Sequence, residues 1–413
     1  MNKKLKTALT IFSLGVGGSA IYILPYIKYV FYEQQMEVMN MTNAQSGMLL
    51  SAFAITAVIL FPLGGIISDK IASKKLMIFS LIATTILTIV YAMTLEFKTA
   101  LIIWVGLAIT TGTTWWPSLI KAVGKTGDPE DSGKMYGIYY ACNGLVGSII
   151  NSLALWFSTK GETTRQGFVY AMIVTAAFTA IAAVMIFVFY NEDGKAVASS
   201  GEEESKFKFS DVGGVIKNPF TWILGLSVFV SFSLYSSTSY FNPYLIDVVG
   251  VSTESSGIYS IIRSYLFMLL APFGGWVCDR VLKTTARGFM VMFALIGLFT
   301  FGVMLIPSSV STTFASIYTL LPAAVTMTLY GISWSIQREL KIPAAVMGTA
   351  IGISSCIGWL PDLFMHTMFG HWLDIYGNTG YRFIFSYLIV LSIIGFLCGF
   401  VVQRSNSKRK AEE

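Results

Sequence analysis

Charge is what this sequence is short of. Asp, Glu, Lys and Arg together make 12% of its 413 residues, about half the share that a water-facing protein surface needs. A mean hydropathy of +0.68 agrees, so an ordinary soluble domain is excluded and a lipid bilayer is the implied solvent. Cysteine is scarce as well: Cys142, Cys278, Cys356 and Cys398 fall inside apolar runs or beside cytoplasmic loops, where no disulfide framework is expected. A Walker loop, a dinucleotide fingerprint, zinc-ligand spacing and a nucleophile elbow are all missing. An ATP-driven pump and an enzyme with a soluble catalytic domain therefore have no support, and no cofactor or metal is called for. A membrane-embedded transferase would need carboxylate pairs in its loops; Asp128, Glu130 and Asp131 form such a cluster, but GDPEDSGK is the composition of a solvated turn.

What the chain does have is a recurring apolar run of about 20 residues, the length that crosses about 30 Å of hydrocarbon as a helix. Twelve such spans are expected, at 8–32, 45–67, 76–95, 99–122, 134–157, 166–190, 219–245, 255–277, 288–306, 313–337, 346–369 and 380–402. The opening MNKKLK imitates a signal peptide, yet the apolar stretch behind it continues to Tyr32, beyond an ordinary signal core. It is a first span that stays. With both termini in the cytoplasm, 22 of the 28 basic residues lie inside, the other six being Lys28, Lys98, Lys160, Arg165, Arg263 and Arg382. That asymmetry orients the chain in an inner membrane, and it places the net charge of +6 between spans, where it implies no nucleic acid.

Residues 191–218 interrupt the rhythm with Gly, Ser and charge, a composition that buries no core. They form a cytoplasmic linker, a tether with room for a short amphipathic helix near Phe207–Val215, and split the chain into a bundle at 1–190 and another at 219–413. The halves resemble one another. PLGGIISDK at 62–70 returns as PFGGWVCDR at 272–280, preceded at the same offset by Ser46-Gly47 and Ser256-Gly257. Pro25-Tyr26 matches Pro243-Tyr244, Gly112 and Trp115 match Gly331 and Trp334, and Gly137 and Gly147 match Gly348 and Gly358. The order is parallel, as in transporters built from two like halves.

Over nearly its full length the chain resembles the major facilitator superfamily. The resemblance is carried by Gly65, Asp69 and Lys70 followed by Lys74 and Lys75, similar to that family's loop motif between spans 2 and 3, with Ser73 where the family has glycine. Gly275, Asp279 and Arg280 make the second copy. The resemblance implies two six-helix bundles related by a pseudo-twofold axis, a solute site between the halves near midplane, and a latch in which Asp69 and its copy hold one conformation closed. The alternative is that Asp69, Lys70 and Lys74 are a solvated basic loop. Trp116-Pro117, Lys121 and then Asn143 are similar to the organophosphate:phosphate antiporter and anion:cation symporter branches, which carry sugar phosphates, sugar acids and carboxylates. Where the former branch has an arginine in span 1, this chain has Tyr26, two positions from Lys28.

Ionisable groups in hydrocarbon cost at least about 2.5 kcal/mol each, so each needs a reason. Arg263 lies eight residues into its span, about 12 Å along the helix. Its planar fork suits carboxylate, phosphate or sulfonate oxygens; pairing with Asp362 is the structural alternative. Lys28 either joins that site or snorkels to the surface. Asp362 follows Pro361, with His366 one turn later, an arrangement suited to a countercharge or a proton site; His366 alternatively belongs to the interface. Tyr22, Tyr26, Trp115, Trp116, Tyr139, Asn143, Tyr235 and Tyr240 are candidates to flank the solute, against ordinary packing or interfacial belts. The sequence thus points to a monomeric, proton-coupled carrier of a small organic anion. Anion exchange, a neutral solute and a transporter-like sensor are the competing functions.

Overall fold

The computed structural model describes residues 3–124, 126, 132–191, 214–307, 310–340, 342 and 347–412. Most of the linker and the turn with Asp128, Glu130 and Asp131 lie outside the described residues, as do the side chains of Gly65 and Asp69. The described chain is almost entirely helical. Helices begin where the sequence supplies a capping side chain: Thr42, Thr163, Asn218, Ser252 and Thr284 each accept a bond from an amide in the first turn. Such caps satisfy donors that a helix start leaves open.

Among the described residues, eleven helical stretches are long and apolar enough to cross a membrane, against twelve expected. The difference lies in Ile353–Ser407, counted as one stretch of 55 residues. Straight, it would be about 80 Å long, which no bilayer accommodates as one crossing. It holds two crossings, joined at Gly377–Thr379, where Gly377 takes φ +52°, a conformation cheap only for glycine. The twelve-span architecture follows.

Five spans are not continuous; the tenth passes from Thr312–Tyr318 to Leu320–Ile332 and ends in a 3-10 segment at Ser333–Glu339. The first breaks between Lys3–Ile23 and Lys28–Met39 at Pro25. The seventh passes from Pro219–Ser237 through a tight 3-10 turn at Thr238–Tyr240 to Phe241–Asp247. The eighth gives way after Thr253–Ser264 to a 3-10 segment at Leu266–Leu270, and the eleventh divides between Met347–Trp359 and Pro361–Tyr376. The fourth, Phe97–Gly124, is widened to a π-helix at Ile109–Trp115, a form that tends to mark functional positions.

The chain divides into two compact units: residues 1–200 with 252–266 and 366–371, and residues 201–251 with 267–365 and 372–413. Within the first, Ser73–Thr94 packs on Thr164–Phe189, Lys3–Ile23 on Ser132–Ser158, and Asn43–Lys70 on Phe97–Trp115. Within the second, Thr285–Met304 packs on Gly380–Glu412, Pro219–Ser237 on Met347–Trp359, and Ala271–Trp276 on Leu320–Ile332. These are the same pairings, span 3 with 6, 1 with 5 and 2 with 4, in the same order. The repeat seen in sequence is a repeat of packing.

The paired glycines of PLGG and PFGG acquire a reason here. A Cβ on Gly64 would stand 2.5 Å from the Thr113 carbonyl oxygen, and one on Gly274 2.6 Å from that of Thr328. The first glycine of each pair therefore seats span 2 or 8 against the backbone of span 4 or 10. Gly275, the glycine of the second motif copy, has open space where a Cβ would go. Gly274→Ala should lower the melting temperature of the detergent-purified protein, by the equivalent of about 1–3 kcal/mol, while Gly275→Ala should leave it unmoved; equal effects would show that close approach is not what the motif secures.

Candidate functional site

In the first unit the candidate side chains gather around the first span. Tyr22 donates its hydroxyl to the Thr111 carbonyl at 3.3 Å, inside the π-helix, and its ring lies 6.4 Å from that of Tyr26. Tyr26 meets Phe53 edge-on at 5.9 Å. Asn143 donates to the Tyr139 hydroxyl at 3.1 Å, and both lie against Gly18. Trp115 is fully buried with its ring against Gly17, whereas Trp116, Tyr22, Tyr26 and Asn143 are half-buried. Amide and phenol groups thus line one side of span 1, and the first indole is packed into it.

Arg263 belongs to the same unit and is 0% exposed. It sits on Thr253–Ser264, a helix packed on Lys28–Met39 and tied to it by Ser260, which donates to the Tyr29 carbonyl. Arg263 is one residue from the end of its helix. Lys28 stands at the restart of the first span. Its side chain is 2% exposed and does not run to the surface: Nζ lies 3.5 Å from Nδ1 of His366 and 5.3 Å from the centre of the Tyr32 ring. His366 is buried and falls in the first unit, through its segment 366–371.

Asp362 belongs to the second unit, with Arg263 in the first. Its carboxylate is buried and accepts a bond of 2.9 Å from Ser236. Ser236 is set apart within a serine-rich span: Ser231, Ser233 and Ser237 each bond back to the carbonyl four residues earlier, as helix-borne hydroxyls tend to do. Tyr240 is buried in the tight turn of the same span. Tyr235 stacks on Tyr330 with centroids 4.3 Å apart and planes 9° from parallel. Lys28, Tyr240, Arg263 and Asp362 therefore share one property. Each stands at a break in its span.

Of the motif residues, Lys74 donates to Asn191 at 3.3 Å and lies over the Phe187 ring, and Lys70, Asp279 and Arg280 are exposed. Two contacts at the same end of the spans were not foreseen. Lys121, at the end of span 4, donates to the Ser68 carbonyl at 3.0 Å. Glu339, at the end of span 10, accepts from the amides of Thr285 and Ala286, the latter at 3.2 Å, and from Asn406 at 3.3 Å. A basic residue at a helix C-terminus and a carboxylate at a helix N-terminus are the favourable polarities. Lys121 could be noticed as a lone cation closing a span; nothing near Glu339 in sequence announces its partners.

The family model described as Major Facilitator Superfamily matches residues 7–365. The chain is 26% identical over 373 residues to the inner membrane protein YqcE of Escherichia coli (strain K12), covering 89% of this chain and 87% of that one. It is 25% identical over 271 residues to the hexuronate transporter of Bacillus subtilis (strain 168), covering 60% and 59%. Among solved structures, a bacterial homolog of the human lysosomal transporter Spinster superposes with a TM-score of 0.73 at 17% identity, over 98% of both chains.

The Glu339 contacts make a local expectation. Glu339→Ala should leave the first amides of Thr285–Met304 without their acceptor, costing about 1–3 kcal/mol locally, seen as faster hydrogen exchange at the start of that helix. Exchange as slow as in the parent protein would remove the capping role.

Proposed function

The chain belongs to the major facilitator superfamily, and from that premise we propose that it is a secondary active transporter carrying a small organic anion across the inner membrane by alternating access, coupled to protons. Both termini face the cytoplasm, the protein works as a monomer, and the anion is a sugar acid, sugar phosphate, sulfo-sugar or carboxylate. The hexuronate transporter among its relatives supports an anionic solute.

The observation that carries the reading is that three buried charged residues, Lys28, Arg263 and Asp362, each stand beside a helix break. Backbone irregularity at membrane depth is tolerated where it is buried in protein or lines a polar cavity, and broken helices are where transporters of several folds hold solute and coupling ion. Arg263, 0% exposed beside the break of span 8, is the proposed anion-binding group, because its five fixed donors match two oxygens of a carboxylate at once. Lys28 adds positive charge to the same unit, and Tyr22, Tyr26, Tyr139 and Asn143 offer hydroxyl and amide partners there. Asp362, held by Ser236, is the proposed proton-bearing carboxylate. Tyr235 and Tyr240 flank it, and the loop residues Gly65, Asp69, Lys70, Lys74, Gly275, Asp279 and Arg280 serve the conformational latch.

Uptake into liposomes of a labelled panel of sugar acids, sugar phosphates, sulfo-sugars and carboxylates, with and without an inward proton gradient, tests this. An anion should accumulate only with the gradient. Arg263→Ala should cut uptake by about tenfold or more, equivalent to at least about 1.4 kcal/mol, with Arg263→Lys recovering only part. Uptake confined to neutral or cationic solutes would overturn the reading, and anion uptake driven by a trapped counter-anion alone would make the protein an exchanger.

A further inference from the structure

Two nitrogen bases meet inside the first unit. Lys28 Nζ and His366 Nδ1 are 3.5 Å apart, 338 residues distant in sequence, on side chains 2% and 0% exposed. An ammonium has three donors and no acceptor, so this contact is a hydrogen bond only while Nδ1 keeps its lone pair. With Lys28 as the charged donor, His366 is neutral and carries its proton on Nε2. A second proton on the pair would face two positive charges across the same gap, away from water.

The pair fastens a tight seam. Thr367 and Ser51 share a hydrogen bond of 2.9 Å. A Cβ on Gly47 would stand 2.3 Å from the His366 carbonyl oxygen, and one on Gly370 2.2 Å from that of Asn43. The start of span 2 and the segment 366–371 thus touch backbone to backbone. Packing of this density is either shut or parted, with little between.

The surroundings contribute in two ways. The titratable groups on the packed elements are Lys28, Tyr29, Tyr32, Glu33 and Glu37 on the second half of span 1, Glu254, Tyr259 and Arg263 on Thr253–Ser264, and Asp362, His371, Asp374 and Tyr376 on the helix of His366 itself; 43–51 has none. Lys28 faces the imidazole directly, and the Tyr32 ring beneath Lys28 is held by a bond of 2.6 Å from its hydroxyl to Asn43. Lys28 also lies beside Gln35, Ser46 and Trp104. The Ser46 hydroxyl there is buried and has no hydrogen-bond partner among the described residues, so a lysine turned away from His366 has an acceptor close by.

We propose that Lys28 and His366 form a shared-proton site that carries one positive charge while the seam is shut and two once it parts, so that proton uptake from the outer face and release of segment 366–371 are a single event. His366 Nδ1 takes the proton from the outer solution, its bond to Lys28 becomes a repulsion, and the lysine turns toward the Ser46 hydroxyl as the seam parts. Binding that favours the parted state shifts the population toward it. The use of this step in transport rests on the proton-coupled reading above.

The test reads the seam separately from the flux. Spin labels at Met48→Cys and His371→Cys, both exposed, with the four native cysteines replaced by serine, report the separation of span 2 from the segment in liposomes. Between about pH 8 and about pH 5 the longer-distance population should grow about threefold. It should stay flat in His366→Gln, whose amide accepts from Lys28 but takes no proton. Lys28→Met keeps the histidine and removes the facing charge, so the pH response should shrink; this variant carries the test if His366→Gln fails to fold. A seam indifferent to pH in the parent, or an undiminished response in either variant, overturns the proposal whatever the uptake assay returns. A response that vanishes in His366→Gln while uptake ignores the proton gradient upholds the site as a gate and overturns the coupling.

Discussion

Every backbone amide and carbonyl inside a bilayer needs a partner within the protein, and the rest of this structure is arranged around that demand. Regular helix meets it automatically, whereas spans 1, 7, 8, 10 and 11 are interrupted and span 4 is widened. At the break of the first span and in the widened fourth, a side chain from elsewhere takes up a backbone carbonyl. At the Pro25 break the Trp104 indole donates to the Pro25 carbonyl at 3.1 Å, and just beyond it Ser260 donates to the Tyr29 carbonyl. In the widened fourth span the Tyr22 hydroxyl covers Thr111. Such a break costs an immobilised polar side chain on a neighbouring helix.

The repeat shows what duplication preserves and what it leaves free. Pairing of spans and the seating glycines Gly64 and Gly274 are kept, because two helices that touch backbone to backbone tolerate no added atom. The polar contact closing the ends of spans 4 and 10 has reversed sign: Lys121 serves a helix C-terminus and Glu339 a helix N-terminus. The sign differs because the two residues meet opposite ends of a helix, and each end fixes the charge that suits it.

The architecture was legible because its causes are local. A run of 20 apolar residues, a Thr or Ser before it, a glycine at Gly377 and the placement of Lys and Arg between spans each act within a few residues. The twelfth span, merged by helix continuity into one stretch of 55 residues, is still separable by length alone. Partnerships were not legible. Which side of a helix faces which neighbour depends on packing over the entire bundle, so Ser236 could not be told from the serines around it, nor Glu339 from any loop carboxylate. Asp362 and His366 sit one turn apart and invite being read as a pair. Instead the carboxylate is held by span 7 and the imidazole by Lys28 of span 1, because the helix that carries them crosses from one compact unit into the other.

That crossing bears on how coupling can work without direct contact between a proton and a solute. Asp362, Arg263 and the Lys28–His366 pair need not touch in order to communicate; it is enough that each favours one of the same two conformations. On the proposed reading, a bound anion would offset the charge of Arg263, a proton would remove that of Asp362, and a second proton on Lys28 and His366 would separate a backbone seam. One helix carries both Asp362 and His366, which fall in different compact units. The strictness of coupling would then depend on the free-energy gap between the two conformations and not on a fixed stoichiometry written into one site. A small change at the seam could loosen coupling while solute affinity stayed intact.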